Sequence, residues 1–416
     1  MQTREVVGEP SGTTVAAAQV EEDEPPLKTE VSSRRLFCNI PSEHWNDWHW
    51  HFRNRITTVE GLSKYARLSA KERAEMRLVN IKYPLAITPY YLSLMNLDNP
   101  TDPMRLQALP SIQELSTSCA SMEDPLAEEE HSVVPGLVHR YPDRVLMVLT
   151  DICPMLCRHC TRKREWRHGG WVRTTEQFEA MLAYIRRHKE VRDVIVSGGD
   201  PLTLSTARLG EVLAGIRRIP HVEIIRIGTR MPVVLPQRID DELCNTLSKY
   251  GPIWLNTHFN HPGEVTPDAA RACDMLLRAG MPVNNQSVLL KGVNDSVETQ
   301  INLCRSLLRV KVRPYYLFQC DDVVGTEHFW TSVESGVNIM QGMRGFISGL
   351  AIPTYVIDLP NGKGKIPVGP DYILERTSEE FIVRNYQGKI VHYSNPNNAK
   401  AYTGCLEVPC ADIIPV

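Results

Sequence analysis

The stretch Val145-Leu-Met-Val-Leu-Thr150-Asp-Ile-Cys153-Pro-Met-Leu-Cys157-Arg-His-Cys160 sets an apolar run directly before three cysteines in a CxxxCxxC spacing. The run reads as a buried strand. Three thiolates on the short loop that follows suit a cubane iron-sulfur cluster, and the lack of a fourth leaves one iron open to an exogenous ligand. The competing reading is a structural zinc, which calls for four closed ligands, usually as two pairs. No second pair lies nearby, and His159 inside the triplet does not fold back easily onto the same ion.

Outward from that strand, short β-branched runs alternate with helical segments. Strands are expected at 145–150, 193–197, 223–228, 253–259, 283–290, 312–319 and 354–358, with helical stretches such as 175–188, 238–248, 267–279, 297–310 and 332–350 between them. Alternation of this kind builds βαβ units and a parallel sheet, giving an α/β barrel or partial barrel. Sites in such folds lie at the carboxyl ends of the strands. The segments just after the expected strands carry the cysteine triplet, Gly198-Gly-Asp200, Thr229-Arg230, Asn260-His261, Asp321 and Asp358. Residues 381–386 and 389–393 flank Gln387-Gly388 and read as a closing hairpin.

Upstream, residues 41–122 are patterned as helix, with Ser42 as a candidate cap. Residues 1–35, with the acidic run Glu21-Glu-Asp-Glu24, read as a disordered leader. The expected division is a leader to 35, a helical region over 36–140, a barrel over 141–350 and a loop-and-hairpin segment over 351–416.

The chain has 416 residues, 42% of them hydrophobic, and a net charge of −3, which permits a large core and gives no electrostatic case for binding nucleic acid. It has neither a bilayer-spanning apolar run nor a signal-peptide core, so no membrane association and a cytoplasmic location are expected. An odd total of 11 cysteines in a long chain argues against a disulfide framework. Cys38, Cys119, Cys244, Cys273, Cys304 and Cys320 are expected as small core residues.

A second chemical signal is Asp358-Leu-Pro-Asn-Gly-Lys-Gly-Lys365-Ile-Pro-Val368, which places lysine in a glycine-rich loop after a strand. A solvated loop lysine is the plain reading; a Schiff base with pyridoxal phosphate is the functional one.

The triplet on a barrel strand resembles the radical S-adenosylmethionine superfamily, and Ser197-Gly-Gly-Asp200 resembles its methionine-binding segment. Trp45-Asn-Asp-Trp48, Ala86-Ile-Thr-Pro-Tyr-Tyr-Leu-Ser93, Pro135-Gly-Leu-Val-His-Arg-Tyr-Pro-Asp-Arg144, Arg158-His-Cys-Thr-Arg162, Leu255-Asn-Thr-His-Phe-Asn-His-Pro262 and Arg313-Pro-Tyr-Tyr316 together resemble the lysine 2,3-aminomutase family over about residues 42–395. That resemblance implies a partial (β/α)6-type barrel and an isomerase that moves an amino group from C2 to C3. It implies a [4Fe-4S] cluster on Cys153, Cys157 and Cys160, and S-adenosylmethionine against Ser197, Gly198, Gly199, Asp200, His159 and Gln286. Pyridoxal phosphate would be held on Lys365, with its phosphate anchored by Arg140 and Arg144. Arg162 would grip the substrate carboxylate.

Asp321 and Asp358 match the pair that holds the distal ammonium of lysine in that family, and two carboxylates at one place select for a cation. Lysine is the first expected substrate and arginine the second. A relative that prepares β-lysine for attachment to a protein, or a cluster protein without pyridoxal phosphate, are the remaining alternatives. The resemblance also implies an external reductant such as flavodoxin or ferredoxin, and a homo-oligomer.

Departures from the family pattern bear on two points. Ser296 follows Gly292-Val-Asn-Asp295 where a zinc-ligating cysteine stands in the best-known lysine enzyme, and only Cys405 and Cys410 remain near the C-terminus; no structural zinc is expected. Phe318 replaces a tyrosine, and Asp322, the Trp330 segment, Asn361 and Lys363 also differ, changes that could reshape the pocket for a guanidinium.

Overall fold

The computed structural model of the protein describes residues 35–395 apart from residue 168. The expected leader, Cys405 and Cys410 lie outside the described residues. Strands β1 (Ser132–Val134), β2 (Leu137–Tyr141), β3 (Arg144–Val148), β4 (Asp193–Ser197), β5 (Ile224–Gly228), β6 (Ile253–Thr257), β7 (Val283–Leu289), β8 (Arg313–Gln319), β9 (Thr354–Asp358) and β10 (Lys365–Pro367) pair in chain order in one sheet. β3 to β9 run parallel, and both flanks of that parallel block are antiparallel.

Parallel neighbours need crossovers, which Thr175–Arg187, Thr206–Arg217, Asp241–Ser248, Pro267–Arg278, Val297–Arg309 and Val333–Met343 supply. Each starts at a side-chain cap, respectively Thr174, Ser205, Asp240, Thr266, Ser296 and Ser332. These oxygens satisfy N–H groups that the first turn leaves orphaned. Ser296 is therefore a helix cap.

The strands alternate as a half-open barrel requires. On β4, Val194 and Val196 are buried, whereas Ile195 and Ser197 point to the other face and line a cavity. The sheet curls strongly: Arg140 on β2 lies 3.7 Å from Asp358 on β9, although six strands stand between them in the sheet. The N-terminal helices share the barrel's core, since Trp45, Leu62 and Tyr91 belong to the same cluster of packed side chains as Val194 and Leu209.

Several sequence expectations are corrected. Residues 132–140, placed in the helical region, instead fall in β1 and β2, which meet around Pro135-Gly136; proline then a glycine at φ +83° suits a tight turn. Ser42 is the first residue of a helix whose cap position is Pro41. The helix expected from 238 begins at Asp241, because Asp240 accepts Leu243 N–H and fixes the start there. The helix expected over 332–350 ends at Met343, ahead of Gly345 at φ +87°. The hairpin forms with Phe381 opposite Tyr393, but β12 (Glu380–Arg384) and β13 (Ile390–Ser394) gain a third strand, β11 (Ile373–Arg376), in a separate sheet. Cys38 and Cys119 are exposed, not core residues, while Cys244, Cys273, Cys304 and Cys320 are buried. Among the described residues no helix is long and apolar enough to cross a membrane.

Candidate active site

A cavity of about 420 Å³ opens at the carboxyl ends of the parallel strands. Every residue singled out above for cluster, cofactor or substrate lines it, from Cys153, Cys157 and Cys160 across to Asp321, Asp358 and Lys365. The strand-end rule thus gathers segments more than two hundred residues apart in sequence, as Cys153 and Lys365 are.

The cysteine loop is held by close backbone contact. Gly199 N–H donates to Thr150 O at 2.5 Å, and Asp200 N–H to Ile152 O at 2.9 Å. A Cβ on Gly199 would stand 2.5 Å from Asp151 C and Ile152 O, and one on Gly198 would clash with Thr150 O. Only glycine lets the two loops approach so closely. Burial pushes the Cys153 thiol up, with the neighbouring Cys160 adding to it, and pushes Cys160 up to about 11.

Asp200 lines the cavity and also braces the loops beside it. Its carboxylate accepts from Leu202 N–H, Thr229 Oγ1 and Arg230 N–H at 2.8–3.0 Å, so its oxygens are engaged in tying the loop after β4 to the loop after β5. Burial raises its pKa to about 6.

At the opposite wall, Lys365 Nζ donates to both Asp358 oxygens at 2.6 and 2.8 Å and lies 5.3 Å from the Phe318 ring centre. Arg140 approaches the same carboxylate, and the Arg140 and Arg144 guanidinium groups sit 5.0 and 4.9 Å from the Tyr141 ring centre. Asp321 is different: among the described residues no side chain or N–H donates to its carboxylate. Burial, then the charge of Asp358, pushes it up to about 7.

Arg162 is engaged by a residue that the sequence reading missed. Its Nε and Nη2 donate to the two oxygens of Glu128 at 2.8 and 2.7 Å, and Nη1 donates to Gly198 O at 2.8 Å. Burial works to raise the Glu128 carboxyl, but the charges and hydrogen bonds of Arg162 and Arg164 hold it down at about 2. His159, kept neutral by burial, has its Nε2 3.3 Å from Asn260 Nδ2 and its buried Nδ1 without a partner.

The superfamily model for radical S-adenosylmethionine proteins matches residues 147–303, and the model described as lysine-2,3-aminomutase matches residues 340–411. The L-lysine 2,3-aminomutase of Fusobacterium nucleatum is 49% identical over 93% of this chain and 89% of its own length. That of Clostridium subterminale is 50% identical over 89% of this chain and 88% of its own. The chain belongs to the lysine 2,3-aminomutase family. The glutamate 2,3-aminomutase of Clostridioides difficile is also similar, at 42% identity over 87% of the chain.

The family is one of isomerases that use a [4Fe-4S] cluster, S-adenosylmethionine and pyridoxal phosphate, and the cavity's chemistry fits each. Buried, mutually repelling thiols would be held as thiolates by bound iron. Among the described residues no three His, Cys, Asp or Glu side chains gather tightly enough to share a single metal ion; a cubane takes ligands spread around its corners. Pyridoxal phosphate meets an amine on Lys365 and two guanidinium groups beside one ring. The unpartnered Nδ1 of His159 and the close-packed backbone of Gly198 and Gly199 offer polar contacts to an amino acid moiety.

Besides Glu128, the sequence reading gave no role to His258 or Tyr141, which line the cavity, and placed Arg230 at the strand ends without assigning it one. Glu128 carried no signal, because its partner lies 34 positions away across a loop.

Proposed function

We propose that this chain is a lysine 2,3-aminomutase, converting L-lysine to β-lysine. The observation that carries the reading is the Asp321 carboxylate, half-buried in the cavity beside Asp358, to which no side chain or N–H among the described residues donates. A buried carboxylate in this state calls for a cation, and a distal ammonium supplies one. A glutamate side chain would add a third negative charge.

When bound, the cluster with S-adenosylmethionine supplies a carbon radical that removes and returns one hydrogen, and pyridoxal phosphate supplies the π-system across which nitrogen migrates. The protein's own part is positional. Cys153, Cys157 and Cys160 hold the iron. Gly198, Gly199, Ser197, His159 and Gln286 hold S-adenosylmethionine, with Asp200 keeping their loop in place. Lys365 carries the pyridoxal group and Arg140 and Arg144 its phosphate. Arg162, oriented by Glu128 and Gly198 O, would meet the substrate carboxylate with the second N–H of Nη1 and of Nη2. Asp358 accepts both hydrogen bonds from Lys365 Nζ and, with Asp321, would meet the distal ammonium of the substrate once Lys365 carries the pyridoxal group. Enclosure by the curled sheet keeps water from the radical.

Arginine is the second reading, favoured by Phe318: a ring without a hydroxyl lines the wall next to Lys365, a flat face for a guanidinium. An external low-potential donor of the flavodoxin or ferredoxin kind, a reducing cytoplasmic setting and a homo-oligomer complete the proposal. Exposed Ile373, Ile390 and Val391 on the C-terminal sheet support self-association.

The test is anaerobic turnover of the reconstituted protein with lysine, arginine and glutamate, reading out β-amino acids. Lysine turnover is expected. Glutamate turnover without lysine or arginine turnover overturns the assignment of Asp321 and Asp358, and a preference for arginine replaces lysine as the substrate. Lys365→Ala is expected to lose the Schiff-base absorbance of bound pyridoxal phosphate together with activity.

A further inference from the structure

Cys157 is distinguished from the other two cysteines by a cation. Arg230, only 9% exposed at its side chain, donates from Nη1 to Cys157 Sγ at 2.8 Å. The guanidinium is fixed on its remaining sides: Nε donates to His258 O at 3.0 Å, and Nη2 donates to Gln107 Oε1 at 2.6 Å and Glu264 Oε1 at 2.8 Å. Glu264 is itself fully engaged. Its Oε1 accepts from Tyr91 Oη at 2.6 Å and Gln107 Nε2 at 3.1 Å, and its Oε2 from Asn260 and His261 N–H at 2.6 and 3.1 Å.

A charged side chain buried this deeply, and tied to four acceptor atoms on three segments of chain, costs desolvation that a surface arginine avoids. It touches neither Asp321, Asp358 nor Arg162 through a hydrogen bond. What it does touch is a sulfur.

We propose that Arg230 is a positioning residue that sets the reduction potential of the cluster through its charge-assisted hydrogen bond to the Cys157 sulfur, with Gln107, Tyr91 and Glu264 holding it there. This rests on the reading of the triplet as cluster ligands. The oxidised cluster takes one electron from a low-potential one-electron donor; no bond is made or broken, and the reduced cluster carries one more negative charge. A cation donating to a ligand sulfur favours that more negative state, because hydrogen bonds to sulfur and net charge set cluster potentials. Two of the props, Tyr91 and Gln107, come from the N-terminal helices, so this region acts on the cluster's electronics as well as on its packing.

The experiment is a redox titration of the reconstituted full-length protein followed by electron paramagnetic resonance, with iron, sulfide and S-adenosylmethionine binding measured in parallel. In Arg230→Gln the reduced-to-oxidised ratio at a fixed potential is expected to fall about tenfold, equivalent to about 59 mV for a one-electron couple. Arg230→Lys, which keeps the charge but loses the fork, should fall less. Gln107→Leu removes one prop and leaves every charge in place, and a smaller fall in the same direction is expected there even if Arg230→Gln does not hold a cluster. A normal cluster with an unmoved or raised potential in these variants overturns the inference alone, as does weakened S-adenosylmethionine binding at unchanged potential. A wild-type protein that assembles no four-iron cluster overturns the functional reading along with it.

Discussion

Asp321 shows how one residue ties substrate choice to pH. Its carboxyl has an ordinary value of 3.8 and titrates at about 7 in the fold, raised by burial and then by Asp358. Between these values the folded state holds a proton that the unfolded state has lost, so the residue's contribution to stability is fullest below 3.8 and is lost as pH rises through 7. Asp321→Asn should therefore raise the melting temperature at pH 8 and leave it little changed at pH 4, while raising KM for a cationic amino acid at least ~tenfold, about 1.4 kcal/mol. In the wild type, KM for that substrate should climb as pH falls below about 7. At the same scale, Glu128→Ala strands the Arg162 guanidinium. Allowing for partial exposure of the pair, a loss of about 2–4 kcal/mol is expected in denaturant unfolding. KM should rise far more than kcat falls, since the change misplaces a binding group. An unchanged KM would reduce Glu128 to scaffold.

Elements explain why the loops meet. The seven parallel strands were legible because each is a short apolar or β-branched run and all but β9 are followed by a crossover helix, two periodicities that reinforce each other. β1 and β2 were not: Ser132–Val134 is short and largely solvent-facing, and its pairing with β2 depends on the turn at Gly136. The Gly198-Gly199 pair was legible as a loop, but its reason for being glycine was not, since the clash that excludes a Cβ comes from Thr150, Asp151 and Ile152 on another strand's loop. Gly199→Ala should push the two loops apart and weaken S-adenosylmethionine binding at least ~tenfold by calorimetry. Binding at wild-type strength would mean that the loop relaxes without consequence for the site.

At the scale of the molecule, the N-terminal helical region clamps the cluster loop. Arg55 Nη1 donates to Cys153 O at 2.6 Å, Leu156 N–H to Ala86 O at 3.0 Å and Arg158 N–H to Gln107 O at 2.8 Å. The Arg158 side chain, wholly buried, reaches Glu114, Pro84 O and Tyr83 O, and Lys163 shares the same Glu114. Arg158→Leu leaves Glu114 with only Lys163 and the Ser111 N–H among the described residues and should cost about 3–5 kcal/mol, with lower iron content after reconstitution and earlier proteolytic cleavage between residues 35 and 122. The sequence by itself showed the alternation of strands and helices and the cysteine triplet, because strand period, helix period and ligand spacing are local properties of the chain; the parts of Lys365 and the two aspartates were expected from the family resemblance. Tertiary structure alone decided that Glu128 orients Arg162, that Arg230 reaches Cys157, that Asp200 is tied up within the fold, and that Asp358 answers Lys365 while Asp321 answers nothing. Those pairings join residues from different strands and loops, and the distance between two side chains is set by the curl of the sheet, which no local pattern records.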